Sequence, residues 1–199
     1  MAKKVVAIVG SYRRGGIVDK AVAAVLEGAR LQGASVSTIY LTENNLKPCT
    51  NCRTCVQTPG PERGRCPLDD DLAGILSEIE SADSIVLGSP VKGGNVSAIF
   101  RQFMERMMGC CYWPWGEPVP KPRSREPRLK AVVVASTAMP SLLMALFTGA
   151  AANALNMTAA MISATPVGNL WIGLKAGDPL CELSPRTLAR AQRLGMKLA

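Results

Sequence analysis

The sequence predicts one doubly wound α/β domain over residues 1–199: a five-stranded parallel sheet of strand order 2-1-3-4-5, layered between helices as a three-layer sandwich. Three observations predict it. Strand-like and helix-like stretches alternate along the whole chain, which requires crossover connections and parallel strands. Strand candidates are unbroken apolar runs, as expected in a sheet covered on both faces. Three of those runs end in small polar residues, Gly10-Ser11, Gly88-Ser89-Pro90 and Ser136-Thr137, and open α/β sheets bind ligands at such strand tips.

Val5–Val9 is the first strand, and the loop Gly10-Ser11-Tyr12-Arg13-Arg14-Gly15-Gly16 follows it. A helix over Ile17–Leu31 keeps Val18, Ala21, Val22, Val25 and Ala29 on one face. Gly33 ends it, and Ser35–Leu41 alternates as a second strand. Residues 42–69 are an irregular insertion carrying cysteines. A helix over Asp70–Ser81 presents Leu72, Ile75, Leu76 and Ile79, with Asp69-Asp70-Asp71 as its acidic cap. The third strand, Asp83–Leu87, stops at a Gly-Ser-Pro turn that Pro90 stiffens.

Gly93 and Gly94 then form a backbone-rich loop, and a helix over Val96–Met108 buries Ile99, Phe100, Phe103, Met104 and Met107. Residues 109–128 are a Pro/Trp-rich loop, a lid or interface segment with Trp113 and Trp115. Leu129–Ala135 is the fourth strand. Met139–Ala154 reads as helix, Met157–Ala164 as the fifth strand, and Gly168–Asp178 as irregular. Ser184-Pro185 opens the last helix, Ser184 as cap and Pro185 at its first position.

Composition narrows the function. The chain has no histidine, which excludes His general bases, Ser-His-Asp triads and His-ligated zinc. Chemistry must come from cysteines, backbone donors, Arg or Lys, or a bound cofactor. The formal charge is +8, yet aromatic residues are few and no Lys/Arg block stands out, so no nucleic acid is expected. An anionic cofactor or an acidic partner protein accounts for the surplus. The Ala/Met-rich stretch Ala138–Ile162 is interrupted by Pro140, Asn153 and Asn156 among others, so it reads as buried structure and no membrane span is expected. The N-terminus shows no signal peptide, so the expected location is cytoplasmic.

The Gly/Ser loop before the first helix is an anion site, and Ser11, Arg13 and Arg14 suit it to phosphate. It is neither a Gly-Lys-Ser/Thr P-loop nor a Gly-x-Gly-x-x-Gly fingerprint. The second tip is flat and rich in backbone, the third small and polar. A mononucleotide with one phosphate and a flat heterocycle fits all three, and FMN is the candidate.

Gly10-Ser11 through Gly16, the Cys49–Cys66 segment leading into Asp69-Asp70, and Gly88-Ser89-Pro90-Val91 through Phe103 and Arg106 resemble the NADPH-dependent FMN reductase family of flavodoxin-like proteins, in particular its iron–sulfur flavoprotein branch. The resemblance covers residues 3–108 well. It implies a flavodoxin-like fold, with Ser11, Arg13, Gly16 and Ile17 on the FMN phosphate. Pro90, Val91, Lys92, Gly93 and Asn95 would line the isoalloxazine ring, and Ser136 and Thr137 would close its other side. The sequence departs from the family in three places. The gap from Cys55 to Cys66 is longer than is usual in the iron–sulfur branch, and Pro59-Gly60-Pro61 and Gly64 in it read as a flexible bulge that can still return the chain. Lys92 stands where an aromatic residue is usual, and either favours anionic reduced flavin or points to solvent. Ile17-Val18 replaces hydroxyl donors and leaves more of the phosphate to backbone and Arg13.

Seven cysteines without an export signal argue against a disulfide framework, and four lie within residues 49–66. Cys49, Cys52 and Cys55 at this compact spacing can serve three irons of one cubane, with Cys66 as the fourth ligand of a [4Fe–4S] cluster. Free thiols, or zinc on four thiolates, are the alternatives. The resulting expectation is an FMN-dependent oxidoreductase drawing electrons from NAD(P)H or a ferredoxin. The other class is an FMN-binding electron carrier without turnover, its cysteines ligating no cluster. No side chain need act as acid or base, and a homodimer or homotetramer is expected by resemblance.

Overall fold

The structure, a computed structural model, describes residues 2–123, 128–140, 149–174 and 181–199. Its main strands are β1 (Lys4–Val9), β2 (Ser35–Tyr40), β3 (Ser84–Lys92), β7 (Leu129–Ser136) and β8 (Ala164–Ile172). They form a parallel sheet in the order β2-β1-β3-β7-β8, the order expected from the sequence. Two small antiparallel pairings are added: β4 (Asn95–Val96) folds back on β3, and β5 (Cys111–Tyr112) pairs with β6 (Lys121–Pro122).

Helices α1 (Ile17–Arg30) and α5 (Pro185–Met196) cover one face of the sheet. Helices α2 (Leu72–Glu80), α3 (Ala98–Arg106) and α4 (Gly149–Met161) cover the other. The pleat assigns neighbours to opposite layers. Val5, Ala7 and Val9 pack towards α1, while Val6 and Ile8 pack with Phe100 and Phe103 of α3. Both layers are fully buried on β1, which is why its sequence is an apolar run rather than an alternation.

Two strands differ from the expectation. β3 does not stop at Leu87 but runs through Gly88-Ser89-Pro90 to Lys92. Gly88 is there because Val22 packs against it: a Cβ would lie 2.7 Å from Val22 Cγ2. Pro90 is tolerated because pairing with β1 ends at Gly88, so that ladder is already over. The flat loop expected after it is a tight hairpin, with Gly93 and Gly94 both at positive φ (53° and 79°).

The last sheet strand is Ala164–Ile172, not Met157–Ala164. Residues 157–161 finish α4, where Ala and Met favour helix, and Trp171 belongs to the strand rather than to an irregular segment. A proline and a glycine, Pro166 and Gly168, lie inside this strand. They sit at a bulge on the sheet edge, between Ala131 and Val132 of β7, and Val167 is the extra residue. The expected helix Met139–Ala154 falls partly outside the described residues, at 141–148, as do residues 175–178 of the segment read as irregular.

The α1–α5 contact is close because glycines meet it from both sides. A Cβ on Gly195 would lie 1.8 Å from Val25 O, and one on Gly28 would lie 2.0 Å from Gln192 O. Gly195→Ala is expected to cost about 1–3 kcal/mol by overpacking. Chemical denaturation of the two proteins measures it, and an unchanged midpoint would mean the helices have room to part.

Candidate functional site

The tips of β1, β3 and β7 lie side by side, as the register Val9↔Gly88 and Pro90↔Ser136 requires. One residue ties the first two together. Ser97 caps α3, accepting from Phe100 N–H, and its hydroxyl donates to Gly10 O; its own N–H donates to Ser89 Oγ at 3.0 Å. Gly10 lies directly on Phe100, where a Cβ would come within 2.7 Å of Phe100 Cβ. Ser97 escaped the sequence reading, although a Ser three residues before an apolar helical pattern is a capping signal.

The first loop is shaped by Ser11, whose buried hydroxyl accepts from Arg13 N–H at 3.2 Å. Arg13 is exposed on the loop, and Gly16 is the α1 N-cap with no side-chain cap. The first-turn N–H groups, beginning at Ile17, therefore lack helical acceptors and face the loop. Arg14 does not join them. Its guanidinium lies 3.3 Å over the Tyr40 ring and pairs with Glu43 at 3.4 Å. Asp19 accepts from Gly15 N–H and from Tyr40 OH, both at 2.7 Å, and fixes the loop from behind. Burial and the Asp19 carboxylate raise the Tyr40 phenol above its ordinary pKa.

At the second tip, Pro90 and Val91 are half-buried, Lys92 and Gly93 are exposed at the hairpin turn, and Asn95 accepts from Val96 N–H at 2.8 Å. At the third, Ser136 and Thr137 are buried, and Thr137 N–H donates to Ile172 O.

At the C-terminal end of α3, Cys49, Cys52, Cys55 and Cys66 line one cavity of about 40 Å³, with Arg53, Arg106, Met108 and Trp113. Cys49 and Cys52 are exposed; Cys55 and Cys66 are half-buried. The backbone between the first three is wound unusually: Asn51 and Arg53 both adopt left-handed φ, 54° and 58°. The return from Cys55 to Cys66 is stitched rather than floppy. Gly64 packs on Cys55 O and donates to Gly109 O at 2.9 Å. Arg123 donates to the carbonyls of Cys55, Thr58, Gly60 and Gly109.

Hydrogen bonds from Thr54 lower the Cys52 thiol pKa, while burial and the neighbouring Cys66, Cys52 and Cys49 raise that of Cys55. Among the described residues no three Cys, Asp or Glu side chains stand close enough to share a single metal ion. Cys110 lines a separate cavity, and burial pushes its thiol up to about 12.

The described part of the Pro/Trp loop packs on this segment. Trp113 and Trp115 sandwich the Arg53 guanidinium at 4.0 and 4.1 Å, and Arg53 donates to Trp113 O at 2.8 Å.

Asp70 is more than the helix cap it was expected to be. It accepts from Leu72 N–H, but its carboxylate chiefly meets Arg106 through two hydrogen bonds, and both side chains are fully shielded from water. α3 ends at Arg106, so the helix delivers the cation into the segment that α2 closes. Burial alone would raise the Asp70 carboxyl; the Arg106 guanidinium and the N–H groups of Lys47 and Leu72 outweigh it and hold it below the usual range.

Fold and site together define a flavodoxin-like protein, a doubly wound sheet whose three polar strand tips meet at its switch point. Residues 3–171 match the NADPH-dependent FMN reductase family, and the chain belongs to that family. Over 103 residues it is 38% identical to an iron–sulfur flavoprotein of Methanocaldococcus jannaschii, a match covering 52% of this chain and 51% of that protein. An iron–sulfur flavoprotein of Methanosarcina thermophila is 30% identical over 103 residues, again 52% and 51% of the two chains. The chain thus spans about half the length of the curated relatives it matches.

An NAD(P)H:quinone oxidoreductase from Methanothermobacter marburgensis superposes with a TM-score of 0.75 at 18% identity, covering 100% of both chains. An FMN-dependent NADH-azoreductase from Bacillus anthracis, solved in complex with FMN, gives 0.66 at 12% identity over 99% and 97% of the two chains. Both share the fold.

The depressed Asp70 pKa sets a pH dependence. Its contribution to stability is fully present above the unfolded carboxyl pKa of about 3.9 and is lost as pH falls through the lower folded value. Asp70→Asn, which leaves Arg106 buried and uncompensated, is expected to cost about 3–5 kcal/mol at pH 7. That gap should narrow as pH falls below about 4, where the unfolded chain takes up a proton that folded Asp70 still resists, and close further as pH falls through the depressed folded value. Denaturant unfolding of both proteins at pH 7 and at several values below about pH 4 measures it; a gap that stays the same down that range would deny the ion pair its role.

Proposed function

We propose that the chain is an FMN-dependent oxidoreductase that also carries a [4Fe–4S] cluster on Cys49, Cys52, Cys55 and Cys66. The observation carrying the flavin half is the alignment of three polar strand tips across the switch point. There the first-turn N–H groups of α1, from Ile17 on, with Ser11, Arg13 and Gly16, would receive a phosphate. Pro90, Val91, Lys92, Gly93 and Asn95 would face a planar ring, and Ser136 and Thr137 its far edge. The family and the relatives named iron–sulfur flavoproteins support both halves.

The residues also fit the cluster. Four thiols line one cavity, two left-handed residues wind the backbone around it, and the buried Nε of Arg106 has no partner among the protein atoms. A cubane is held at four corners, one thiolate per iron, so the cysteines need not converge on a single point.

Bound FMN supplies two-electron and one-electron redox chemistry, and a cluster exchanges electrons singly. The protein's own part is placement. Arg13 would provide a permanent cation for the phosphate, the hairpin would present backbone to the ring, and Trp113 with Arg53 forms one wall of the cysteine cavity. NAD(P)H or an acidic ferredoxin would serve as electron donor to this basic protein.

An anaerobic visible spectrum tests the reading: two flavin bands with a broad shoulder near about 400 nm are expected, as for FMN beside an iron–sulfur centre. Arg13→Ala should weaken FMN binding by about 1–3 kcal/mol, roughly 5- to 150-fold. Cys52→Ala should remove iron, sulfide and the shoulder while the flavin bands remain. A protein that takes up no FMN would refute the flavin half. Iron that survives Cys52→Ala would refute the ligand set. NADPH consumption with a quinone separates an enzyme from a carrier.

A further inference from the structure

The Arg106–Asp70 pair reaches past stability to the cysteine cavity. Arg106 donates to Cys66 Sγ at 3.4 Å while both its terminal nitrogens meet Asp70, and it donates to Lys47 O as well. Asp70 accepts in turn from Lys47 N–H at 2.8 Å. Lys47 lies two residues before Cys49, so one ion pair grips both ends of the cysteine segment. Gln102, one turn earlier on α3, adds a bond to Leu46 O. The remaining guanidinium nitrogen, Nε, is buried and unpartnered, and Arg106 lines the cavity.

We infer that Arg106 is a positioning residue that sets the reduction potential of the centre held by Cys66, with Asp70 as the counter-charge that limits its effect. The inference rests on the cluster reading above. The physical reason is electrostatic. Each electron entering a thiolate-bound cluster adds negative charge, so a cation and hydrogen-bond donor at a ligand sulfur stabilises the reduced form. The shift is large where water cannot screen it, and both side chains here are wholly shielded. Asp70 opposes the effect by neutralising the guanidinium, so the two residues pull the potential in opposite directions.

The test uses the full-length protein with its cofactors, comparing wild type, Asp70→Asn, and the double variant Asp70→Asn with Arg106→Met. Iron and sulfide are counted, FMN content confirms the fold, and cluster and flavin potentials are read by anaerobic redox titration with EPR. Asp70→Asn should raise the cluster potential above wild type, because Arg106 loses its counter-charge. The double variant should lower it below wild type, because Cys66 loses its cationic donor. The flavin potential should move less than the cluster's in both.

The double variant leaves no unpaired buried charge and carries the test even if Asp70→Asn alone does not fold. Loss of iron with no potential shift in the remaining clusters, or shifts of the same sign in both variants, would reduce the pair to a structural clasp. Wild type without iron or sulfide would instead overturn the cluster reading and this inference with it.

Discussion

A guanidinium sealed from water must find its counter-charge inside the protein, and Arg106 finds it in Asp70 across more than thirty residues of chain. Leaving either charge alone in that position would cost several kcal/mol, so any arrangement of residues 42–69 that separates them is penalised. The pair thereby decides where the cysteine segment begins and ends. Asp71 reinforces the decision by accepting from Asn45 N–H at 2.7 Å. A segment of almost thirty residues with little regular structure of its own would otherwise carry a large ordering cost. Here its backbone groups are answered by Arg106, Arg123, Gln102 and the two aspartates rather than by a sheet.

The sheet contributes a different constraint. β1, β3 and β7 are buried on both faces, so their register is locked by packing against α1 on one side and α3 on the other. Rigid strands then place three loop beginnings side by side, and the loops are free to carry polar groups without disturbing the core. Ser97 converts this proximity into fixed geometry, since it bonds to both Gly10 and Ser89. Asp19 does the same behind the first loop, at the expense of occupying the Gly15 N–H that an anion could otherwise use.

Apolar patterns were sufficient for β1, α1 and α3, the Ser184-Pro185 cap marked α5, and the order of the sheet followed from the doubly wound precedent for alternating elements. Sequence patterns failed where two signals conflicted. Pro90 reads as a turn, and only the end of the β1 ladder at Gly88 makes room for it in a strand. Pro166 and Gly168 read as loop, and an edge position with a bulge accepts them. The tips that bear Ser11, Pro90 and Ser136 were legible because small polar residues after an apolar run have few other uses. The partnership of Asp70 was not, since three consecutive aspartates before a helix look like a cap, and the cation lies far off in sequence. The Trp113–Arg53–Trp115 stack was hidden for the same reason.

Both sites hang from α3. Its cap touches the strand tips and its last residue touches the cysteine cavity, nine residues and about 14 Å of helix apart at 1.5 Å per residue. Phe100 and Phe103, fully buried and packed edge to face at 6.1 Å, hold the helix between those ends against the sheet. A spacing set by one packed helix cannot drift as a spacing set by two loops would. Groups bound at its two ends would therefore keep a constant separation while the surrounding loops vary. The hairpin, the loop after β1 and the Pro/Trp loop can then change in sequence, provided Ser97, Arg106 and the aromatic pair between them stay in place.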